Sequence, residues 1–583
     1  MLQVKINGTP ITGRIEGLED FTLNYSRDSE TGRTQKSYTN QLKFYDDAFN
    51  IIYPLMVANP NGLNQSANVE VWDDCCNAPV YRDLIIRGDM VDFCTGDCFV
   101  TARLTRQDPD ELIYQCLNKN EISSNKNGYF NYPYTDPITG QTNSNPRFPL
   151  VVYCNELRPN WLMAVLLSVL LLNLWIKASL IPFLVLFLIN VSFVLIGLCA
   201  TLKLLETIIN GILPGNPVDI TPPVCDQILQ DPLFLIKEVN DFVDRIIQNF
   251  IGCGRKHPTP LYRQYVENAC QICGINQFNS SILNDPNSEY YNALYFNAPA
   301  DAGSRSAVGY ISENRPTATM SSWLDTIAKD FNARWWISQN QLYFERKDYF
   351  LNQPVIYDAD INQETGDILE GVCFTYNEGK LFSSIKVEAT MDALDDVGNE
   401  DRNRYTVYFD YGSNPNWEGA NKKVLSYSPA RFRNDGIEAD ILTFFDNLPL
   451  SNLIWGNNIS QYSKALLMAK GTASNPKMLI WDGQSYTDAT IKIYNGVQNM
   501  PAMVNSGQSD LYDKFHRIDD PNINPFRFWN AELTVRANCQ LVQQLDVNRT
   551  VRLRTPYGAI VNARINQINA NLGERTIQFT CEF

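Results

Sequence analysis

One stretch constrains this chain more than any other. Residues Trp161–Leu202 read WLMAVLLSVLLLNLWIKASLIPFLVLFLINVSFVLIGLCATL, with Lys177 as the single charge. A run this long and this apolar exceeds what one membrane-spanning helix needs, about 20 residues. Lys177-Ala178-Ser179 divides it into Trp161–Ile176 and Leu180–Leu202. Pro182 stands near the start of the second arm, where a missing backbone N–H costs least. The pattern predicts a hydrophobic two-helix hairpin with Lys177 near its tip. The first arm would reach about 24 Å at 1.5 Å per residue, slightly short of a bilayer core of about 30 Å. Arg158 and Lys203 flank the two bases, and Trp161 fits an interfacial anchor. A helix pair buried within a large protein or oligomer would read the same way and need no lipid.

Both sides of this run are polar and mixed. The 583 residues carry a net charge of −16, with 12% aromatic residues, which argues against disorder and for several packed domains. An acidic surface repels nucleic-acid phosphates, and no basic patch offsets it. The opening MLQVKINGTP has neither the basic start nor the apolar core of a signal peptide. The expectation is a chain made in the cytoplasm that carries a membrane-like hairpin in its middle.

Catalytic signals are sparse. His257 and His516 are the only histidines, and neither lies in a nucleophile-elbow or papain-like context. No P-loop, Rossmann glycine fingerprint or HExxH occurs. A paired-carboxylate enzyme, such as a cell-wall hydrolase, leaves no spacing signature to find. The fourteen cysteines are too dispersed for a small disulfide framework and are expected mainly as reduced thiols or buried small side chains. Cys75-Cys76 and Cys94-x3-Cys98 fit plain thiols better than a metal cluster. The strongest metal candidate is Cys253-x3-His257 followed by Cys270-x2-Cys273, two pairs separated by a twelve-residue loop. Such a set is compatible with a structural Cys3His zinc site, whose four protein ligands would leave no open position for chemistry. Zinc is the one cofactor the sequence raises, and cysteine packing within a helix over Tyr262–Ala269 explains the same residues without it.

The fold class expected is mainly β with α+β insertions: tube-like β-barrel or sandwich domains plus the hydrophobic two-helix hairpin. Residues 1–157 form the first β domain. Leu2–Ile6, Asn7-Gly8 and Pro10–Ile11 make a hairpin, since Asn-Gly supplies positive φ angles. Further strands are expected at Phe21–Tyr25, Gln41–Tyr45, Ala67–Trp72, Leu84–Arg87, Phe99–Leu104 and Leu112–Leu117, with Tyr129–Phe148 an irregular loop. The hairpin occupies 158–213, an α+β unit 214–350, and β-rich structure 351–583. Asp231-Pro232 starts an amphipathic helix. In SSWLDTIAKDFNARWWISQNQLYFERKDYF (321–350), Ser322 and Asp325 resemble a capping pair. Trp323, Ile327 and Phe331 share a helix face, and Arg334–Ile337 and Leu342–Glu345 form a β-hairpin. Beyond it, strands are expected at Ser383–Ala389, Tyr405–Tyr411, Met478–Trp481, within Trp529–Leu545, at Val551–Leu553 and in a terminal hairpin, Ala563–Asn569 with Thr576–Phe583. A short helix is expected at Ile437–Leu448, and Asp392–Asp401 and the KFHRIDD segment holding His516 are expected on the surface.

The LDTIAKDFNARWWIS…LYFE pattern resembles the corresponding unit of bacteriophage tail hub (baseplate hub, tail-tip) proteins. The segment from Cys253 through Gly303, with SSILNDPNSEYYNALYF, is similar to them too. The resemblance spans roughly 250–350 and implies a homotrimer in which two tube-like β domains per chain form a pseudo-hexameric ring continuing the tail tube. It implies as partners other tail-tube and tail-tip proteins, passing DNA held without specific binding, and a virion location after assembly in the bacterial cytoplasm. The apolar insertion departs from the family pattern. The host membrane is its expected partner during infection. The alternative is a two-span integral inner-membrane protein with large cytoplasmic domains.

Overall fold

The computed structural model describes residues 2–28, 31–38, 41–73, 78–107, 109–122, 130, 132–155, 198–207, 253–296, 318–362, 367–376, 382, 384–390, 406–410, 420–427, 431–432, 466–468, 476–487, 491, 511–519 and 529–583. Across them the protein is mainly β, with helices set between the sheets.

The chain opens with β1 (Leu2–Ile6), β2 (Thr9–Pro10), β3 (Ile15–Glu16), β4 (Thr22–Arg27), β5 (Thr34–Tyr38), β6 (Gln41–Tyr45), β7 (Ser66–Asp73), β8 (Ala78–Asp92) and β9 (Phe99–Arg106). Seven of these form an antiparallel sheet in the order β2-β1-β7-β8-β9-β6-β3. The β1–β2 turn uses Asn7 (φ 52°) and Gly8 (φ 79°), as Asn-Gly predicts. Alternation decides which face turns inward: Val4 and Ile6, Val69 and Val71, Leu84 and Ile86, Val100 and Ala102 are all buried.

A second sheet runs in the order Val355–Asp358, Thr550–Arg554, Ile560–Asn571, Thr576–Glu582, Trp529–Arg536, Ile368–Tyr376. The long strand Ile560–Asn571 also pairs with β4, matching Leu23 with Ala570 and Tyr25 with Ile568, and β5 pairs with β4 beyond it. The N-terminal and C-terminal thirds therefore close on each other. One apolar core gathers side chains from both, including Phe21, Phe44, Val71, Leu533, Ile568 and Phe579. The C-terminal strand lies between two neighbours in this sheet, as the terminal hairpin pattern predicts.

The second core belongs to the middle of the chain. It surrounds α1 (Pro109–Lys119), α2 (Tyr262–Cys273) and α3 (Met320–Asp330), with Trp335, Phe344, Trp481 and Phe515 fully or nearly buried. Leu112–Leu117, expected as a strand, is part of α1. Pro109 opens that helix, Asp110 and Glu111 occupy its first turn, and Ile113, Tyr114 and Leu117 bury one face at helical spacing. The segment 1–157 thus feeds both cores, because α1 and Phe130, Tyr132, Tyr134 and Phe148 join the second.

The helix–hairpin unit is present as expected, with a different cap. Thr319, not Ser322, accepts the capping bond, from the Ser322 N–H at 3.3 Å. Asp325 accepts instead from the Trp335 indole Nε1 at 2.7 Å, tying helix to strand. Strands Ala333–Ser338 and Gln341–Arg346 turn at Gln339 (φ 53°) and Asn340 (φ 59°), the positive pair of a type I′ turn.

Of the apolar run, Trp161, Lys177 and Pro182 lie outside the described residues. So do Asp231-Pro232, Asp392–Asp401, Ile437–Leu448 and Cys75-Cys76. Lys203 lies in a helix over 198–207, where the Thr207 hydroxyl donates to the Lys203 carbonyl at 2.7 Å. Cys199 is buried there, and Leu198, Leu204 and Leu205 are exposed. No helix among the described residues is long and apolar enough to cross a membrane.

Candidate functional site

The apolar run is held by a neck. Strand Leu150–Asn155 pairs antiparallel with Cys253–Pro258, from Leu150↔Pro258 to Cys154↔Cys253 with a bulge between Tyr153 and Cys154. The chain therefore leaves the body at Asn155 and returns beside its point of departure at Cys253. The stem is not an isolated ribbon, since Leu150–Asn155 also pairs in parallel with Leu466–Met468. The Leu150 N–H reaches the Tyr486 carbonyl at 2.7 Å, and the Thr259 N–H reaches the Pro149 carbonyl at 2.9 Å.

Four residues past the stem, α2 begins. Leu261 precedes it, its N–H donating to the Gln264 side chain at 2.9 Å, and Gly274 (φ 67°) ends it in the left-handed region. Tyr262, Tyr265 and Val266 are fully buried. Glu267, with its pKa raised by burial, accepts from the Tyr132 hydroxyl at 2.7 Å and lies 3.4 Å from Arg263. This locks α2 to the loop that leads into the stem.

The four residues of the zinc pattern are all in this neck, on two elements. Cys253 and His257 sit on the returning stem strand, and Cys270 and Cys273 on α2. Cys273 is joined to Cys116 of α1 in a disulfide, so in this state it offers no thiolate to a metal. Cys270 is free and buried, and burial raises its pKa far above that of an exposed thiol. Among the described residues no group of three or more His, Cys, Asp or Glu side chains is arranged to hold a metal ion. The side chains of Cys253 and His257 lie outside that description. Reduced thiols are nevertheless present elsewhere: Cys94, Cys98 and Cys373 are exposed and free, and Cys581 is buried and free. Cys199 and Cys539 are disulfide-bonded. Sequence spacing alone did not pair Cys116 with Cys273, because 157 residues separate them.

A second cluster carries strongly perturbed acid–base groups. Asp330, at the end of α3, is 1% exposed, and burial pushes its carboxyl pKa up to about 7. It accepts from the Ser426 N–H at 2.6 Å and from the Ser426 hydroxyl. His516, expected on the surface, is 1% exposed; its Nε2 lies 2.9 Å from the Asp330 carbonyl. Burial pushes its pKa down to about 3, so the ring is neutral with its proton on Nε2. The charged look of KFHRIDD conceals that Tyr512 and Phe515 turn the segment inward and take His516 with them.

Beside it, Asp519 receives Lys423 at 2.6 Å, Lys347 at 2.7 Å and the Asn332 amide at 3.0 Å. The two ammonium groups hold the Asp519 carboxyl well below the usual carboxylate range, although burial alone would raise it. Asn332 also donates to the Phe515 carbonyl at 2.9 Å. The cluster thus fastens α3 and the hairpin after it to segments 420–427 and 511–519. It is a structural clasp: none of its members lines the groove described next.

That groove, about 700 Å3, runs between β5, β8, β9 and α1, with Lys36, Arg87, Arg106, Leu63 and Leu112 among its lining. Arg87 is paired with Asp89 at 2.6 Å and Arg106 with Glu111 at 3.9 Å.

No protein-family model and no curated protein matches the sequence. Solved structures similar to this chain are phage and prophage tail proteins. The 43 kDa tail protein of prophage MuSo2 from Shewanella oneidensis is 9% identical at a TM-score of 0.32, covering 100% of this chain and 97% of that one. A tail protein from Neisseria meningitidis is 7% identical at 0.32, covering 100% and 95%. Prophage tail protein gp18 from Listeria monocytogenes is 7% identical at 0.31, covering 100% and 94%. Likeness at this level is too slight to carry an argument about how the chain works.

Proposed function

We propose that this chain is a structural component of a phage tail, acting at the tail tip as a hub that closes or continues the tail tube. In this reading the apolar run is a payload for the host membrane during DNA delivery. The observation that carries it is the neck. A β-rich, acidic body is built from both ends of the chain, and the paired strands Leu150–Asn155 and Cys253–Pro258 bracket the segment that holds the apolar run. A body that closes without the run can present or release that run while remaining folded. The LDTIAKDFNARWWIS…LYFE resemblance supplies the tail context, and its helix and hairpin lie at the centre of the second core.

As a homotrimer, the protein would bring three apolar segments together. Packed on one another, their faces would be hidden from water; in a bilayer, lipid would replace those partners at little hydrophobic cost. Acidic walls would let DNA pass without adhering. The function is mechanical, with no bond made or broken. Particles carrying a chain that lacks 156–252 are expected to assemble and adsorb, and to lose DNA delivery. Normal delivery by such particles would remove the membrane step. Clearing of peptidoglycan in a zymogram by the purified chain would replace the structural reading with a hydrolase.

A further inference from the structure

The stem is the first tie at the base of the apolar run, and the Cys116–Cys273 bond is the second. The loop that this bond closes runs from α1 to the last residue of α2 and contains all of 156–252. Cys116 and Cys273 are both half-buried, within reach of a small oxidant or reductant. Cys270 lies one turn earlier on α2 and would be the natural competitor for Cys116. It is 7% exposed, and burial keeps its thiol protonated. Only a thiolate attacks a disulfide or reacts with an oxidant, so the buried thiol is excluded from exchange. The Asn120 amide, donating to the Cys116 carbonyl at 2.9 Å and lying 3.2 Å from its Sγ, holds the other sulfur at the end of α1.

We propose that Cys116 and Cys273 form a redox-set collar at the base of the apolar run. The collar is open in a thiol-rich cytoplasm and closed once the protein meets dioxygen, fixing α1 on α2. Closure removes two protons and two electrons from the two thiols to make one S–S bond, and dioxygen takes them up as hydrogen peroxide. Reopening consumes two molecules of glutathione, returning two cysteine thiols and one glutathione disulfide. Cytosolic conditions keep most protein thiols reduced. The biological timing rests on the virion reading above; the chemistry of the pair does not.

The test uses the full purified chain and no particle. It is equilibrated in excess reduced glutathione or in air-saturated buffer, trapped by alkylation, and mapped by mass spectrometry without reduction. Expected in glutathione are alkylated Cys116 and Cys273; expected in air is a Cys116–Cys273 cross-linked peptide beside those of the disulfides at Cys199 and Cys539, with native Cys270 unmodified in both. The air-oxidised double variant Cys116→Ser, Cys273→Ser should melt lower than the air-oxidised parent by roughly 5 °C. Free Cys116 and Cys273 in air, or a Cys116–Cys270 link, would overturn the proposal. So would a bond that excess glutathione leaves closed, or a double variant that melts with the oxidised chain. The result is independent of where the protein is found in an infected cell, so it separates failure of the collar from failure of the tail assignment.

Discussion

Asp330 and His516 set opposing pH dependences within one clasp. Asp330 titrates at about 7 in the folded chain, above an ordinary value of 3.8. Between those values the folded state holds a proton that the unfolded state has lost, so this contribution is full below pH 4 and is lost as the pH rises through 7. His516 titrates at about 3 instead of 6.5; its contribution is full above pH 6.5 and is lost as the pH falls toward 3. Asp330→Asn keeps an acceptor for the Ser426 N–H without the titration. Unfolding free energies from urea titrations at pH 4 to 7 should therefore rise for the variant relative to the parent, by an amount on the order of a few kcal/mol across the window. His516→Gln, which keeps a donor for the Asp330 carbonyl, should lose less stability than the parent on acidification. Parallel pH profiles for parent and variants would show these groups to be indifferent. At Asp519, removal of the charge leaves Lys347 and Lys423 facing each other, so Asp519→Asn should cost roughly 3 kcal/mol at pH 7 by chemical denaturation. Gly62 is a packing constraint of another kind: a Cβ there would collide with the Met56 carbonyl. Gly62→Ala should cost about 1–3 kcal/mol, measured the same way.

At the scale of the element, the neck is what the proposed function rests on. Asn155 and Cys253 end two paired strands, so the 97 residues 156–252 can be replaced by a short turn without moving either strand. A chain shortened in this way should keep the melting temperature of the parent to within a few degrees; collapse of the fold would show that 156–252 contributes to the body's core. Elements with strong local signals were legible in the sequence. Strand alternation and the Asn-Gly turn placed β1, β2, β6, β7 and β9, and helical spacing with a hairpin placed 320–346. Leu112–Leu117 was misread because six apolar-rich residues suit either period, and Pro109 with two acidic residues after it was the overlooked helix start. His516 was misread because exposure was judged from its charged neighbours, whereas Tyr512 and Phe515 decide its burial. Of the metal pattern, spacing identified two residues that lie on the returning stem strand and two that lie on α2. It could not reveal that Cys273 is bonded to a cysteine on another helix.

At the scale of the whole molecule, long-range pairing is what the sequence concealed most. Nothing local in β4 announces that Leu23 lies opposite Ala570 or Tyr25 opposite Ile568. That closure makes a single core from the two ends of the chain. The central claim, that this body is part of a tail and the run is stored there until infection, is tested most directly by fractionating cells that express the gene in its native context. Lysate is run on a density gradient, the membrane fraction is washed with carbonate, and this chain is followed by mass spectrometry. The account predicts co-migration with particles that contain other tail proteins and no chain in the washed membranes. Retention in those membranes without tail partners would contradict it and identify a resident two-span membrane protein.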